Sequence, residues 1–226
     1  TGSPDQIFPC TACQVQEALG ADGAVGFDLN AACSGFLFAY NTAQAYIASG
    51  IYRTVLVIGS ESISRLVDWT DRGTCILFGD GAGAVLLQAA EGRTYRPIAH
   101  SDGSGGEALT GPGVRNRIRS IDKDGEKTKT EYITMNGKDV FQFAVRKVPQ
   151  VIQGVLKENK LSAKDIDWFV LHQANARIVD AVARRLHIGI EKFPMNLQEY
   201  GNTSSASVPI LLNELNRNGL LKKGQK

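Results

Sequence analysis

The stretch NAACSGFLFAYNTAQAYIASG, residues 30–50, decides how the rest of the chain is read. It opens with small residues around one cysteine: Asn30, Ala31, Ala32, Ser34 and Gly35 leave Cys33 sterically uncrowded. Phe36, Leu37, Phe38, Ala39 and Tyr40 then follow with almost no polar face, and a helix that is apolar all round belongs in a core. The pattern predicts a buried helix, ending at Gly50, with the cysteine at its N-terminus. Unpaired first-turn N–H groups and the helix macrodipole favour negative charge there, which would lower the thiol pKa and make a thiolate nucleophile. A small buried hydrophobe is the other reading of such a cysteine, so a catalytic one needs partners elsewhere in the chain.

The flanking segments supply a sheet. AVGFDL at 24–29 has strand length, and RTVLVIG at 53–59 is continuous, β-branched and too apolar to face water on either side, as in a parallel or mixed sheet. Strand, helix, strand reads as a βαβ unit with a right-handed crossover. In CILFGDGAGAVLL, residues 75–87, two apolar runs flank Gly-Asp-Gly-Ala-Gly, which suggests strands with a glycine-dependent bend between them. The glycine spacing matches neither a P-loop nor a dinucleotide fingerprint, so these glycines read as places of close backbone approach. Upstream, residues 9–19 predict a helix capped by Gly20.

Downstream, residues 101–130 hold many glycines and then a mixed-charge run at 115–131, a solvated hairpin or surface loop. Residues 139–159 predict an amphipathic helix with Phe141, Phe143, Ala144, Val148, Val151, Ile152 and Val155 on its core side, kinked or split by Pro149. DIDWFVL at 165–171 reads as a second buried strand that delivers His172, followed by a helix over 178–186. A polar turn, GNTSSAS at 201–207, feeds an apolar helix over 208–215 with Pro209 comfortable in its first turn.

Composition bounds the function. With 226 residues, 43% hydrophobic and 21% charged, the chain reads as soluble and globular, and a formal charge of +2 gives no argument for nucleic-acid binding. No apolar run reaches the roughly 20 residues of a membrane helix, and the polar opening TGSPD shows no signal peptide, so a cytoplasmic location is the expectation. Four cysteines in a chain this long do not form a disulfide framework. Cys10 and Cys13 make a C-x-x-C, but no second pair completes a zinc site and the three histidines stand apart. Its surroundings read as ordinary helix rather than a redox motif, and Cys75 has no assigned role.

His172, placed just past a buried strand, lies where open α/β folds keep their ligands, although a lone histidine is commonly structural. Asn202 opens a loop before a helix, ordinarily a turn or cap position. Together with Cys33 they sit at the ends of buried elements. A nucleophile plus neutral donors suits covalent acyl transfer, in which a developing oxyanion needs fixed hydrogen-bond donors.

Five motifs then carry a resemblance: AACSGF around Cys33, TDRGT at 70–74, FGDGAGA at 78–84, LHQAN at 171–175 and GNTSSAS at 201–207. In this order they resemble β-ketoacyl-acyl-carrier-protein synthase III, the condensing enzyme that starts bacterial type II fatty acid synthesis. The resemblance implies an α/β, thiolase-like fold of five layers, α-β-α-β-α, built from two similar halves and usually a homodimer. It divides the chain into an N-terminal half at 1–100, a connecting region at 101–138 and a C-terminal half at 139–226. It implies that Cys33 takes an acetyl group from acetyl-CoA, while His172 and Asn202 hold the malonyl thioester carbonyl during decarboxylation. No metal or redox cofactor is implied; acetyl-CoA and malonyl-carrier protein are substrates.

By the same resemblance Arg72 packs on the CoA adenine, Asn175 lines the pantetheine tunnel, Phe78 walls the primer pocket and Phe8 reaches the partner subunit. Spacings of seven and eight place Arg177, Arg184 and Arg185 on one side of a helix, a docking patch for an acidic carrier protein beside the tunnel mouth. Compared with the family, the chain is expected to lack the first quarter and the final glycine-rich strands that complete the oxyanion hole, and to be truncated at both ends. Such a piece would leave sheet edges unpaired. A related acyltransferase, a quinolone- or polyketide-forming synthase on this scaffold, or a non-catalytic fragment are the alternative readings; GNTSSAS argues against the elongating synthases, which use two histidines.

Overall fold

The computed structural model describes residues 1–113 and 131–226. The mixed-charge run at 115–131 lies, apart from Glu131, outside the described residues. In chain order the elements are α1 (Thr11–Ala18), α2 (Gly35–Ala48), β1 (Thr54–Ser62), β2 (Asp80–Gln88), β3 (Leu109–Thr110), β4 (Thr134–Met135), α3 (Gly137–Glu158), α4 (Ala176–Leu186), α5 (Leu197–Tyr200) and α6 (Ser207–Arg217).

Strands β1 and β2 pair antiparallel along their whole length, from Thr54 opposite Gln88 to Ser62 opposite Asp80. Side chains alternate across a strand, so Val55, Val57, Gly59 and Glu61 share one face with Leu87, Val85, Gly83 and Gly81 opposite them. Helices α2 and α6 lie on the sheet, α2 chiefly against β1 and α6 against β2. Phe36, Ala43, Val57 and Val208 form the buried centre of this layer, with Val55, Val85, Leu87 and Leu212 around it.

The glycines of this face do what the sequence suggested. A Cβ built on Gly59 would lie 2.4 Å from the Ser205 carbonyl oxygen, and one on Gly83 would meet the Ile210 nitrogen at 2.8 Å. Gly79 is equally tight, 2.2 Å from the Tyr200 carbonyl oxygen. The bend between two strands is not what they make, however. Gly81 and Gly83 lie within β2, while residues 75–77 form a turn closed by Cys75 N–H to the Asp71 carbonyl and Leu77 N–H to that of Thr74. The first apolar run is therefore no strand, and Phe78 makes only an isolated parallel bridge to Asn202.

A second core joins α3 and α4. Val179, Val182 and Ala183 of α4 are buried with Phe169 and Phe193, whose rings stack at 4.9 Å, and Val148 and Ile152 of α3 pack on them. Helix α3 runs through Pro149 without splitting. Proline has no N–H to give the carbonyl four residues back, which would leave the Val145 oxygen unpaired. The Arg185 guanidinium fills that gap, donating from Nη1 to the Val145 oxygen at 2.9 Å.

Three further expectations differ. Only Gly35, Phe36 and Ala43 of α2 are buried, because the sheet covers one side of the helix; Leu37 is 50% exposed, and Phe38 and Tyr40 also face outward. Residues 24–29 belong to no strand, so the expected βαβ crossover does not form among the described residues. Residues 166–171 also lack a ladder: Asp167 and Trp168 N–H groups go to the Lys226 oxygen, and Phe169 N–H to that of Lys192. An apolar run becomes a strand only where a neighbouring backbone pairs with it. On either side of residues 114–130, β3 and β4 pair antiparallel.

Two stability measurements test this account. Gly59→Ala should cost about 1–3 kcal/mol by overpacking, whereas Gly103→Ala, which meets no atom within 4 Å, should be near neutral in thermal unfolding. Arg185→Ala should cost about 1 kcal/mol beside Pro149 and much less in a Pro149→Ala background, where the helix satisfies Val145 itself. Equal costs in both backgrounds would show that Arg185 does not serve that carbonyl.

Candidate functional site

The turn between Asn202 and α6 is where the site is assembled. Residues 202–209 are all buried, an unusual fate for a polar NTSSAS run, and the hydroxyls and amides there must find partners inside the protein. Ser204 and Ala206 bound a short 3-10 turn that packs against another, Ala32–Ser34, which carries Cys33 into α2. Both turns contain a non-glycine residue in the left-handed region, Ala32 at φ 46° and Ser204 at φ 50°. Such backbones cost energy and persist only where surrounding contacts fix them.

Cys33, His172 and Asn202 meet through Ser204. The turn Ser204–Ala206 packs against the turn that carries Cys33, and the Ser204 hydroxyl, 3.5 Å from Glu61 Oε1, acts to lower the Cys33 thiol pKa. The Ser204 backbone N–H donates to Asn202 Oδ1 at 2.9 Å, fixing the Asn202 amide with Nδ2 left as a donor. Its carbonyl oxygen lies 3.0 Å from Ser207 Oγ, which in turn sits 2.7 Å from Nδ1 of His172. Asn202 is also pinned on its backbone: its N–H donates to the Leu77 oxygen at 2.9 Å, and its carbonyl accepts from Gly79 N–H at 3.0 Å. The sequence motif FGDGAGA thus holds the asparagine through its first two residues and clears space for it with glycines.

The electrostatics of the three groups differ. Burial lowers the His172 pKa to about 4, so the imidazole is neutral at neutral pH. Burial also raises the Cys33 thiol above its ordinary value; the Ser204 hydroxyl partly offsets this, and the Glu61 carboxylate adds to the rise. The expectation of a thiol pKa lowered by the helix terminus is therefore corrected. Cys33 precedes α2 in the short turn, and removal from water outweighs the favourable backbone donors there.

Glu61 was missed in the sequence. Its carboxylate is buried and accepts from Gly2 N–H, from Ser3 Oγ at 2.6 Å and from Ser205 Oγ at 2.6 Å, with Ser204 Oγ at 3.5 Å. The available signal was register: Glu61 follows Val55, Val57 and Gly59 on the inward face, so a carboxylate there had to be hydrogen-bonded. Ser204, Ser205 and Ser207 were read only as turn residues.

The remaining candidates spread outward. Asn175 caps α4, its Oδ1 accepting from Arg177 N–H at 2.9 Å. Phe78 is partly buried against the cluster of Ile63, Val67 and Ile133. Arg72 is exposed on the Asp71–Thr74 turn, which Asp71 ties by accepting from Gly73 N–H and Thr74 Oγ1. Phe8 is 81% exposed. All three arginines are exposed; Arg177 lies over the Phe141 ring and Arg185 donates to the Val145 carbonyl of α3. Cys10 and Cys13 are free thiols 3.3 Å apart, both turned to the Gly26 carbonyl. No group of three or more potential metal ligands occurs among the described residues, and no helix among them is long and apolar enough to cross a membrane.

Comparison with known proteins identifies the family. Residues 27–104 match the model of 3-oxoacyl-[acyl-carrier-protein] synthase III, and residues 156–226 that of its C-terminal region. The β-ketoacyl-[acyl-carrier-protein] synthase III of Clostridium acetobutylicum is 46% identical over 100% of this chain and 69% of its own length. That of Trichodesmium erythraeum is 49% identical over 99% of the chain and 68% of the relative. Among solved structures, the synthase III of Aquifex aeolicus superposes with a TM-score of 0.85 at 42% identity, covering 98% of this chain and 68% of that one. The priming β-ketosynthase of the R1128 polyketide pathway superposes at 0.90 with 33% identity, covering 99% and 66%. The chain belongs to the 3-oxoacyl-[acyl-carrier-protein] synthase III family and has its thiolase-like α/β fold.

Proposed function

We propose that the chain carries the reaction centre of a priming condensation: a short acyl-CoA, acetyl-CoA first, with malonyl-acyl carrier protein, giving acetoacetyl-carrier protein, CoA and CO2. The observation that carries the reading is the convergence of a cysteine, a neutral histidine and an asparagine amide on one buried turn. In the first step the Cys33 sulfur attacks the thioester carbonyl, the C–S bond to CoA breaks, and the thiol proton ends on the departing CoA sulfur. In the second, the malonyl C–C bond breaks to release CO2 and its electron pair forms an enolate. Nε2 of His172 and Nδ2 of Asn202 hold the enolate oxygen. The enolate carbon then attacks the acetyl-cysteine, and Cys33 leaves as thiolate and takes up a proton. Every step moves an acyl group or CO2, so none needs a redox group.

Neutrality matters in that second step. Decarboxylation is helped by donors that stabilise a developing oxyanion in a site from which water is excluded. His172 is neutral because it is buried, and a neutral imidazole can still give one N–H bond. Under this reading Arg72 and Asn175 hold the CoA arm, Phe78 bounds the primer pocket and Phe8 enters the pocket of a second copy. The acidic carrier protein is steered by the α4 face that carries Arg177, Arg184 and Arg185, all exposed, with Arg177 over Phe141 and Arg185 also bonded to the Val145 carbonyl. A second reading is a condensing enzyme that primes a polyketide chain, supported by the R1128 priming ketosynthase among the similar structures. Products made from acetyl-CoA and malonyl-carrier protein separate the two, and absence of CO2 release would overturn both.

Cys33→Ser should abolish acyl transfer. His172→Ala and Asn202→Ala should each keep acetylation of Cys33, seen by mass spectrometry, and lose about 10²–10³ in condensation rate. Full condensation by either variant would remove that residue from the mechanism.

The pH dependence follows from the same environment. Because the Cys33 pKa is raised, its thiolate fraction grows with pH beyond the ordinary cysteine range. Its alkylation by iodoacetamide should still be climbing above about pH 9, and a plateau reached below about pH 8 would contradict the raised pKa. His172 contributes no titration in that range, since it gains its proton only as the pH falls toward about 4.

A further inference from the structure

Ser207 belongs to none of the three groups given a chemical role, yet it touches the one whose proton position decides the decarboxylation step. Its hydroxyl is buried, 2.7 Å from Nδ1 of His172, accepting the Gln173 N–H at 3.3 Å and also placed to donate to the Ser204 carbonyl at 3.0 Å. A hydroxyl has one proton to give, so it can donate to Nδ1 or to the carbonyl but not to both. If it gives to the carbonyl, His172 must carry its proton on Nδ1, and Nε2 turns a lone pair toward the substrate. If it gives to Nδ1, the proton stays on Nε2.

Three observations favour the second arrangement. The Ser204 carbonyl already accepts the Ser207 backbone N–H, so it is not orphaned without the hydroxyl. The 2.7 Å separation suits a hydroxyl donor better than a ring N–H donor, whose usual distance is about 2.9–3.0 Å. The Gln173 N–H donating into Oγ makes the hydroxyl a better donor onward, since chained hydrogen bonds polarise one another. The nitrogen of an imidazole that keeps the proton is set by the bond the other nitrogen makes.

We propose that Ser207 is a positioning residue of the condensation: its hydroxyl donates to Nδ1 of His172 and so keeps the ring proton on Nε2, where it serves the enolate oxygen. The inference rests on His172 being the enolate donor. Nothing in GNTSSAS singles out its last serine, because the contact exists only once α6 brings Ser207 beside the residue that follows Val170 and Leu171.

Nitrogen-15 NMR of the intact protein, labelled at histidine and observed at neutral pH, reads the proton position directly. For His172 we expect Nε2 protonated and Nδ1 pyridine-like; the reverse pattern overturns the proposal. This spectrum needs no variant, so it decides the matter even if a substitution fails to fold. In Ser207→Ala the Nδ1–H tautomer should gain population and kcat for condensation should fall about 10- to 100-fold, the usual loss on removing a partner that orients a reactive imidazole. The rate of Cys33 acetylation and the KM for malonyl-carrier protein should stay unchanged, a split that a general disturbance of folding would not produce. Ser207→Thr, which keeps the hydroxyl, should restore both tautomer and rate. Unchanged kcat and tautomer in Ser207→Ala overturn the proposal while leaving the reaction reading intact. Full condensation by His172→Ala instead removes the reading on which it rests.

Discussion

Everything in this site depends on how closely the 202–210 segment can lie on the β1–β2 sheet. Gly59 and Gly83 face each other across the ladder, and the backbone of Ser205, Pro209 and Ile210 occupies the space that their side chains would take. With the segment pressed down there, Ser204 falls between Cys33 and Asn202, and Ser207 falls beside His172. A methyl group at Gly59 would meet that backbone at 2.4 Å and one at Gly83 at 2.8 Å, so the turn would have to move away from the sheet. The glycines set the distance; the serines use it.

Pressing a polar turn into the core has an electrostatic consequence that runs against one catalytic need and with another. Loss of water makes a thiolate harder to form at Cys33 and an imidazolium harder to form at His172. The first is a cost, only partly offset by the Ser204 hydroxyl, and the buried Glu61 carboxylate makes it larger. Glu61 ties the Gly2–Ser3 segment, the end of β1 and the serine turn together through at least four hydrogen bonds, which is a structural reason for accepting an anion near the nucleophile. The second is a gain, because a neutral donor is what a developing enolate needs.

What could be read in the sequence follows from the range of the forces involved. Local signals were legible: the existence and approximate extent of α1, α3, α4 and α6, the glycine that follows α1, the strand at β1 and the close-approach role of the glycines. Cys33, His172 and Asn202 could be named because each sits at an end of an apolar element in a specific motif. Pairing was not legible, since whether 24–29 or 166–171 joins a ladder depends on a neighbouring backbone and not on its own apolarity. The thiol pKa was misjudged for a related reason. The helix-end effect is local and visible in the residues, whereas desolvation is collective and appears only when the turn at Ser204 closes over Cys33. The serine network and the bond from Arg185 to α3 are not legible in the sequence because their partners lie far along the chain or, for Val145, on a backbone carbonyl that no side-chain pattern reveals.

The architecture also explains why two chemical steps can share one small site without interfering. Cys33 comes from the turn before α2, while His172 and Asn202 come from the segments that flank α4, α5 and α6. Both sets are referenced to the same short turn: Cys33 packs against Ser204–Ala206, Asn202 Oδ1 accepts the Ser204 N–H, and Nδ1 of His172 lies 2.7 Å from Ser207 Oγ. The Ser204 N–H cannot rotate away while its backbone is held at φ 50°, so the Asn202 amide is fixed in place. Under the proposed reaction, a donor held this way stabilises charge without having to reorganise as the acyl group arrives at Cys33 and leaves it.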